Sequence, residues 1–268
     1  MPESPSTNDR ILVFIPGYNC AKQIGRVIAQ LTSPAAPPIS EILVVDNRST
    51  DGTADVAATA LQKASPSKWK VVRNQSNYNL GGSHKVAFNY ALEHGFTHII
   101  VLHGDDQASI RDFTAPIAAG LHRKHDSLLG ARFMKGSQLQ GYSLYRRIGN
   151  YGLNAICGLL LFRWIADQGS GLNLYSTKYL SSRFYSNFDD TLVFPNMMFL
   201  YGVMVKSDYR FIPITWREED QLSNARAVRQ AIRVIKLTAA RQQVAQAAAS
   251  GSAAPARNYA FDVVASGG

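Results

Sequence analysis

The stretch that decides the fold is His98-Ile99-Ile100-Val101-Leu102-His103-Gly104-Asp105-Asp106-Gln107. Its first half is an apolar block typical of a buried strand, and its second half adds two carboxylates and an amide just beyond that strand. Open α/β sheets bind ligands there, outside the carboxyl ends of the strands. Oxygen ligands suit Mg²⁺ or Mn²⁺, and these ions commonly hold a substrate diphosphate. Acidic pairs are also common in solvated loops, so this pair alone does not identify a metal site. The segments before it in the sequence are needed to distinguish the two interpretations.

Apolar blocks and helical patterns alternate through the first half of the chain. Strands are predicted at 11–15, 41–45, 70–72 and 98–102, and helices at 21–31, 54–63 and 83–94. Unbroken apolar strands that alternate with helices indicate an α/β fold, with a mostly parallel central sheet and helices on both faces. Downstream, 142–164 and 191–205 are apolar, 209–214 is strand-like and 217–241 has a helical pattern.

Charge and cysteine content narrow the class of protein. The 268 residues carry a net charge of +9, which suits nucleic acid, an anionic membrane or a phosphorylated substrate. Because no aromatic and basic recognition motif is present, we expect no nucleic-acid partner. Cys20 and Cys157 form neither a disulfide framework nor a metal motif. With no signal peptide or membrane-spanning run visible, we expect a cytoplasmic protein.

Two aspartates near the end of the second strand have different predicted roles. Asp46 ends the strand. A carboxylate at this position either accepts hydrogen bonds from a nucleoside or has a structural role. Asp51 precedes Gly52-Thr53 and a helix, so we favour a capping role for it. The first turn, Pro16-Gly17-Tyr18-Asn19, lacks the Gly-x-Gly-x-x-Gly spacing of dinucleotide-binding dehydrogenases.

These segments, in order, resemble the motifs of the family 2 glycosyltransferases of the GT-A fold. The resemblance is strongest to the polyprenyl-phosphate glycosyltransferases, such as the dolichyl-phosphate mannose synthases, and covers about residues 11–225. It rests on Ile15-Pro16-x-Tyr18-Asn19, Val45-Asp46-Asn47-x-Ser49-Thr50-Asp51-Gly52-Thr53, Asn79-Leu80-Gly81-Gly82 and Asp105-Asp106-Gln107.

The resemblance implies a donor site for a GDP- or UDP-linked sugar. Pro16, Tyr18 and Asp46 would surround the nucleoside, and Asp105 and Gln107 would ligate Mg²⁺ or Mn²⁺ at the diphosphate. His103 replaces the first aspartate of the family pattern, so it would either ligate the ion or contact the ribose. Asn47 replaces an aspartate and Cys20 an acid, which leaves the nucleobase open. The remaining expected donor-site residues are Asn19, Asn47, Gly81, Gly82, Lys85 and Asp106.

The resemblance also implies an acceptor site in the second half. Arg132, Arg146 and Arg147, with Asn150, would meet the phosphate of an undecaprenyl or dolichyl acceptor, and Asp105 would complete the catalytic set. Arg146 and Arg147 could instead form the solvated edge of a helix. A phosphate acceptor needs no general base, whereas a hydroxyl acceptor does. Glu218, Glu219 and Asp220 could supply that base or simply begin a helix.

The last predicted helix could lie on an anionic membrane. Basic residues recur at spacings of 3, 4 and 3, and apolar residues occupy a neighbouring face. The basic residues are Arg226, Arg229, Arg233 and Lys236, and the apolar ones are Val228, Ile232 and Ile235. Packing through the apolar side is the alternative. Residues 144–164 are a second candidate for membrane contact, and a buried core helix is their alternative.

We therefore expect a glycosyltransferase domain over 10–241, divided into a nucleotide-sugar half at about 10–135 and an acceptor half at about 136–241. Residues 1–9 and 242–268 are predicted to be disordered. The expected activity is metal-dependent transfer of one sugar to a polyprenyl phosphate at the cytoplasmic face of the cell envelope. Two alternatives remain: transfer to a sugar hydroxyl in polysaccharide or lipopolysaccharide assembly, and an inactive nucleotide-sugar-binding scaffold, which the His103 replacement favours.

Overall fold

The predicted apolar blocks form the centre of one large sheet. A computed structural model describes residues 9–218, 224–249 and 258–268. Its strands are β1 (Ile11–Gly17), β2 (Glu41–Asp46), β3 (Trp69–Asn74), β4 (His98–Leu102), β5 (Ser127–Ala131), β6 (Gln138–Gln140), β7 (Leu172–Ser176), β8 (Tyr209–Pro213), β9 (Thr215–Arg217) and β10 (Phe261–Gly267).

Helices connect these strands. They are α1 (Ala21–Leu31), α2 (Thr53–Ala64), α3 (Asn79–Glu93), α4 (Thr114–Ala118), α5 (Leu121–Lys124), α6 (Leu144–Leu161), α7 (Thr177–Leu180), α8 (Phe194–Met204), α9 (Asn224–Ala239) and α10 (Arg241–Ala249). Short 3₁₀ turns lie at Ile110–Phe113 and Phe184–Asn187. The predicted bounds of α1 and β4 are confirmed.

Eight of the described strands pair in the order β10-β3-β2-β1-β4-β7-β5-β8. The pairs among β3, β2, β1 and β4 are parallel, as is β5 with β8. β7 runs antiparallel to β4 and β5. β6 and β9 form a separate small parallel sheet. The predicted α/β architecture with a mostly parallel sheet is confirmed.

The core lies in two layers, because successive side chains of a strand point to opposite faces. Leu12 and Phe14 of β1 face one layer, to which α3, α8, α9 and α10 contribute. Ile11, Val13 and Ile15 face the other layer, which α1 and α2 cover. The prediction of helices on both faces is confirmed.

The predicted disorder of residues 242–268 is wrong for the described part of that segment. Residues 241–249 form α10, whose Val244 is buried. β10 pairs antiparallel with β3, from Phe261 opposite Asn74 to Gly267 opposite Trp69. Composition alone misled the prediction, because pairing with a distant strand stabilises this segment. Of the predicted lead-in, residues 1–8 lie outside the described part, and Asp9 forms an ion pair with Arg123.

The helix predicted at 217–241 is also corrected. Arg217 ends β9, and the described helix begins at Asn224. α9 buries Val234 and Thr238, whereas Val228 and Ile232 are 55% and 49% exposed. The alternative, in which the apolar side of this helix packs inward, is therefore wrong for Val228 and Ile232. Residues 219–223, which include the candidate bases Glu219 and Asp220, lie outside the described residues, as does the side chain of Arg226.

Candidate active site

The loops that follow β1, β2 and β4 meet at one edge of the sheet. These strands are parallel neighbours, and the strand order reverses between β1 and β4, which is where open α/β sheets bind ligands. Backbone hydrogen bonds join the loops: Gly104 donates to Pro16 over 3.2 Å, and Asn47 donates to Gly17 over 2.8 Å. A Cβ at Gly104 would lie 2.9 Å from Sγ of Cys20, so this crossing leaves no room for a larger residue. The predicted donor motifs are therefore brought together.

Asp46 is fully buried at the end of β2. Its Oδ2 accepts a hydrogen bond from Nε of Arg73 at 2.9 Å, and its Oδ1 accepts one from the backbone of Ser49 at 3.2 Å. Tyr18, on the loop after β1, is 56% exposed. The carboxylate is thus held in a fixed orientation at the edge where the loops meet.

The side chains of Asn47 and Asn19 form hydrogen bonds that hold the loops in place. Oδ1 of Asn47 accepts hydrogen bonds from the side chain of Asn74 at 2.9 Å and from the backbone of Tyr78 at 2.8 Å. Oδ1 of Asn19 accepts a hydrogen bond from the backbone of Thr50 at 2.9 Å. Both residues therefore shape the expected nucleoside site through its loops.

The predicted structural role of Asp51 at the start of a helix is confirmed, with Gly52 as the N-cap residue of α2 itself. One carboxylate oxygen accepts a hydrogen bond from the backbone of Ala21 at 3.0 Å, and the other from the backbone of Thr53 at 3.1 Å. Burial opposes the negative charge, but the hydrogen bonds from Thr53 and Ala21 outweigh it and hold the pKa of Asp51 below its usual value. Asp51 thus fastens the starts of α1 and α2 together.

The two aspartates of the acidic run point to different surroundings. Asp105 is half-buried and accepts a hydrogen bond from the backbone of Gln107 at 3.3 Å; no basic group of the described residues lies within 4 Å of its carboxylate. Asp106 instead contacts Arg26 at 2.7 Å, Gln30 at 2.7 Å and Arg217 at 3.0 Å. The carboxylate of Asp106 is therefore paired within the protein, and its expected contact with the donor stays a prediction.

A divalent ion fits the donor groups of Asp105 and Gln107, because both offer hard oxygen ligands and Asp105 is not neutralised by an arginine. His103 lies beside them, with its ring against Gly171, where a Cβ would lie 2.9 Å from Cγ of the ring. Burial lowers the pKa of His103, although the carboxylate of Asp105 works in the opposite direction. A neutral imidazole is the form that ligates metals.

Gly81, Gly82 and Lys85, in the first two turns of α3, contact a distant segment of the chain. A Cβ at Gly81 would lie 2.7 Å from Cα of Asp190. Lys85 is buried, and its ammonium contacts Asp190 at 2.8 Å and the hydroxyl of Tyr259 at 3.0 Å. These residues hold α3 to a segment more than a hundred residues away in sequence, and their place in the donor site stays a prediction.

Arg132 and Asp167 form a buried ion pair next to the site. Nε and Nη2 of Arg132 donate hydrogen bonds to the two carboxylate oxygens of Asp167 at 2.7 and 2.9 Å. The guanidinium also lies 4.9 Å from the ring of Trp216. Burial opposes the charge of Arg132, but Asp167 raises its pKa above the usual value. Most of the hydrogen-bonding capacity of Arg132 is therefore used within the protein.

Arg146 and Arg147 lie in the first turn of α6, where Ser143 accepts a hydrogen bond from the backbone of Arg146. The Arg146 side chain is 27% exposed and forms an ion pair of 2.7 Å with Glu218. Arg147 is exposed, and Asn150 donates to the hydroxyl of Tyr142 at 2.9 Å. Sequence reasoning placed Glu218 only among candidate bases and did not predict its pairing with Arg146.

A cavity of about 380 Å³ connects the sheet edge to α6 and α9. Its inner wall includes His103, Gly169 and Ser170, and Arg132 and Arg146 also line it. Its apolar lining residues include Leu80, Leu153, Leu192, Val228 and Val234. The cavity therefore combines cationic and apolar walls, which suits an amphiphilic ligand.

One face of α6 is apolar and exposed. Leu144, Ile148, Tyr151 and Leu159 recur on this face and are 69%, 63%, 47% and 76% exposed. Phe162 and Trp164, just beyond the helix, are 91% and 67% exposed. The alternative of a buried core helix is thus wrong for this face, which we call the α6 apolar face. Among the described residues, no helix has the length and apolarity needed to cross a bilayer.

A second group of possible metal ligands lies elsewhere. Asp9, His98 and His122 place ligand atoms within 4.8 Å of one another. His98 begins β4, so this group lies at the opposite end of that strand from Asp105. Arg123 contacts the same carboxylate of Asp9 at 2.7 Å, and His98 bonds to the backbone oxygen of His122 at 2.9 Å. These protein contacts already account for the group, which is separate from the expected donor site.

The family follows from a comparison with known proteins. The model of the family Glycosyl transferase family 2 matches residues 12–184. The chain belongs to this family and is a glycosyltransferase.

Two relatives and one solved structure are similar to this chain. An uncharacterised protein of Methanocaldococcus jannaschii is 30% identical over 168 residues, which are 63% of this chain and 65% of the relative. An undecaprenyl-phosphate mannosyltransferase of Micrococcus luteus is 26% identical over 166 residues, 62% of this chain and 66% of the relative. The matches thus span just under two thirds of the length of these relatives.

The solved structure is glucosyl-3-phosphoglycerate synthase from Mycobacterium tuberculosis in complex with Mn²⁺, UDP-glucose and glycerol 3-phosphate. It aligns with a TM-score of 0.60 at 14% identity, covering 87% of this chain and 80% of that chain. At this identity the likeness shows the fold alone, and it confirms the GT-A architecture expected from the motifs.

Proposed function

We propose that this glycosyltransferase moves one sugar from a nucleotide diphosphate sugar to a polyprenyl phosphate, with Mg²⁺ or Mn²⁺ bound. The observation that carries the proposal is the cavity that runs from His103 at the sheet edge to the apolar residues of α6 and α9. A polyprenyl phosphate has an anionic head and an apolar chain, and both kinds of wall are present. The name of the Micrococcus luteus relative, an undecaprenyl-phosphate mannosyltransferase, supports the same acceptor class.

The donor would bind across the loops at the carboxyl ends of β1, β2 and β4. Pro16, Tyr18 and Asp46 would contact the nucleoside of a GDP- or UDP-linked sugar. Asp105 and Gln107, with His103 beside them, would hold the divalent ion. When bound, that ion neutralises charge that develops on the departing diphosphate.

The acceptor phosphate would bind near Arg146 and Arg147 at the start of α6. Its oxygen is already an anion, so it attacks the anomeric carbon without a dedicated base. The bond from that carbon to the diphosphate breaks as the new glycosyl-phosphate bond forms. Arg132, which is paired with Asp167, would contribute positive electrostatic potential from the wall of the cavity.

The acceptor is a membrane lipid, so the protein would work as a peripheral protein on the cytoplasmic face of an anionic membrane. The α6 apolar face would enter the interface, and basic side chains beside it would meet lipid headgroups. Arg147, Arg229 and Lys236 are exposed and suit this role. Val228 and Ile232, exposed on α9, extend the apolar surface.

The test is a panel of labelled GDP- and UDP-sugars incubated with the enzyme, undecaprenyl phosphate and Mn²⁺ or Mg²⁺. Label should move into the organic phase with one donor, and a chelator should stop it. Label that moves only to sugar hydroxyls of added glycans would instead establish the hydroxyl-acceptor alternative. Donor binding without transfer to either acceptor would establish the inactive scaffold.

A further inference from the structure

Glu218 lies between the proposed donor site and the proposed acceptor site. The last two residues of β9 and the residue after it each contact a different part of the site. Trp216 lies 4.9 Å from the guanidinium of Arg132, Arg217 binds Asp106 at 3.0 Å, and Glu218 binds Arg146 at 2.7 Å. This segment therefore connects the acidic loop with the acceptor helix.

The backbone fixes the position of Glu218. Its N–H donates to the carbonyl of Gln140 at 3.0 Å, continuing the β6–β9 sheet. Gly141 has a φ of +69°, and a Cβ there would lie 3.0 Å from the carbonyl oxygen of Glu218. The carboxylate is thus held in place, and its side chain is only 7% exposed.

Arg146 is the cation that this carboxylate neutralises. Burial raises the pKa of Glu218 above its usual value, and Arg146 and Arg132 counteract that rise. Arg132 already binds both oxygens of Asp167, so Arg146 is the arginine that forms the direct ion pair with Glu218. Both arginines that line the cavity are consequently paired with a carboxylate of the protein itself.

We propose that Glu218 is an internal competitor for the acceptor anion: its carboxylate neutralises Arg146 while the cavity is empty, and the acceptor phosphate must displace it. The proposal rests on the proposed function and identifies a specificity-determining residue for it. A phosphate dianion competes well for a guanidinium that it can bind through two oxygens. A neutral hydroxyl compound has no charge with which to displace Glu218, so the pairing would favour phosphate acceptors over alcohols.

The test uses geranyl phosphate, a short soluble prenyl phosphate, in calorimetry without donor. Glu218→Gln keeps the size of the side chain and removes its charge. It should tighten geranyl phosphate binding by about tenfold, the size of one charge-assisted hydrogen bond. Arg146→Gln should weaken binding by a similar factor. Glu93→Gln is the matched control, because Glu93 pairs with Arg183 on the protein surface at 3.3 Å and should leave binding unchanged.

Each other outcome is decisive. Weaker binding by Glu218→Gln would overturn the proposal and show that Glu218 orients Arg146. Unchanged binding by Glu218→Gln, with Arg146→Gln still harmful, would also overturn it while leaving the acceptor site intact. If Arg146→Gln leaves geranyl phosphate binding unchanged, the proposed acceptor site is itself wrong.

A second variant covers the case in which Glu218→Gln folds poorly. Glu218→Asp keeps the charge but shortens the side chain by one methylene, so its carboxylate should reach Arg146 less well than the 2.7 Å ion pair of the unmodified protein does. Geranyl phosphate should therefore bind more tightly to Glu218→Asp as well, because Arg146 is then more available to the phosphate. Unchanged or weaker binding by Glu218→Asp would overturn the proposal.

Discussion

Nε of Arg73 donates a hydrogen bond of 2.9 Å to Oδ2 of Asp46, joining the ends of β3 and β2 beneath the proposed nucleoside site. The backbone of Ser49 holds the other oxygen. The carboxylate is therefore oriented before any ligand arrives, and preorganisation of this kind lowers the entropic cost of binding.

Asp46→Asn should weaken binding of the cognate nucleoside diphosphate by about tenfold, because one charge-assisted hydrogen bond becomes a neutral one. The measurement is calorimetric titration. Asp51→Asn is the matched control in the same loop: an amide keeps only one of the two acceptor oxygens, so the loss of one backbone hydrogen bond should lower the free energy of unfolding by about 1 kcal/mol and leave nucleotide affinity unchanged. Equal effects of both variants on affinity would contradict a direct role for Asp46.

Asp105→Asn should remove the metal dependence of donor binding while the protein stays folded. The reason is that Asp105 keeps its carboxylate apart from basic groups of the described chain, whereas Asp106 is bound to Arg26 and Arg217. Asp106→Asn should therefore lower thermal stability more than Asp105→Asn does. The measurement is donor affinity with and without Mn²⁺, and a metal effect that survives in Asp105→Asn would move the ion elsewhere.

Ile148→Asp combined with Leu159→Asp should reduce binding to anionic vesicles by at least about tenfold, since each exposed side chain loses roughly 1.5–3 kcal/mol of apolar transfer. Both residues are largely exposed on the α6 apolar face, so the fold should tolerate the change. Val263→Asp on β10, where Val263 is 56% exposed, is the control and should bind vesicles normally. Co-sedimentation measures the difference, and equal loss in the control would indicate a general charge effect.

Stability should fall as the pH drops from about 6.5 to about 4. Burial lowers the pKa of His84 to about 3 and that of His98 to about 4, from a usual value of 6.5. The unfolded chain therefore binds more protons in this range, and each histidine removes up to about 1.4 kcal/mol per pH unit. Urea unfolding across the range measures the slope. His98→Gln should make it shallower, and an unchanged slope would contradict this assignment.

The sequence predicted the parts of the fold that local patterns determine. The unbroken apolar runs of β1, β2 and β4 sit at the centre of the sheet, and α1 has the helical spacing of Ile24, Val27 and Ile28. β10 was missed because its stability comes from pairing with Trp69 to Asn74, which no local pattern encodes. The placement of Lys85 was missed for the same reason, since its partners Asp190 and Tyr259 are distant in sequence.

Within the candidate site, the sequence predicted which residues lie at the ends of strands, but it did not predict which side chains they contact. Asp46 and Asp105 lie at the expected edge because strands that run parallel end on the same side. The sequence could not show that Asp106 turns toward Arg26, or that Glu218 pairs with Arg146. The first contact depends on how α1 packs beside the loop after β4, and the second on how the β6–β9 sheet lies beside α6.

The measurement that tests the central claim most directly compares undecaprenyl phosphate with undecaprenol as acceptors, under one set of donor, metal and detergent conditions. The account predicts sugar transfer to the phosphate and none to the alcohol, because the phosphate oxygen needs no general base. Arg146→Gln should raise the KM for the phosphate without changing donor affinity. Transfer to the alcohol at a comparable rate, or no transfer to the phosphate with any donor, would contradict the account.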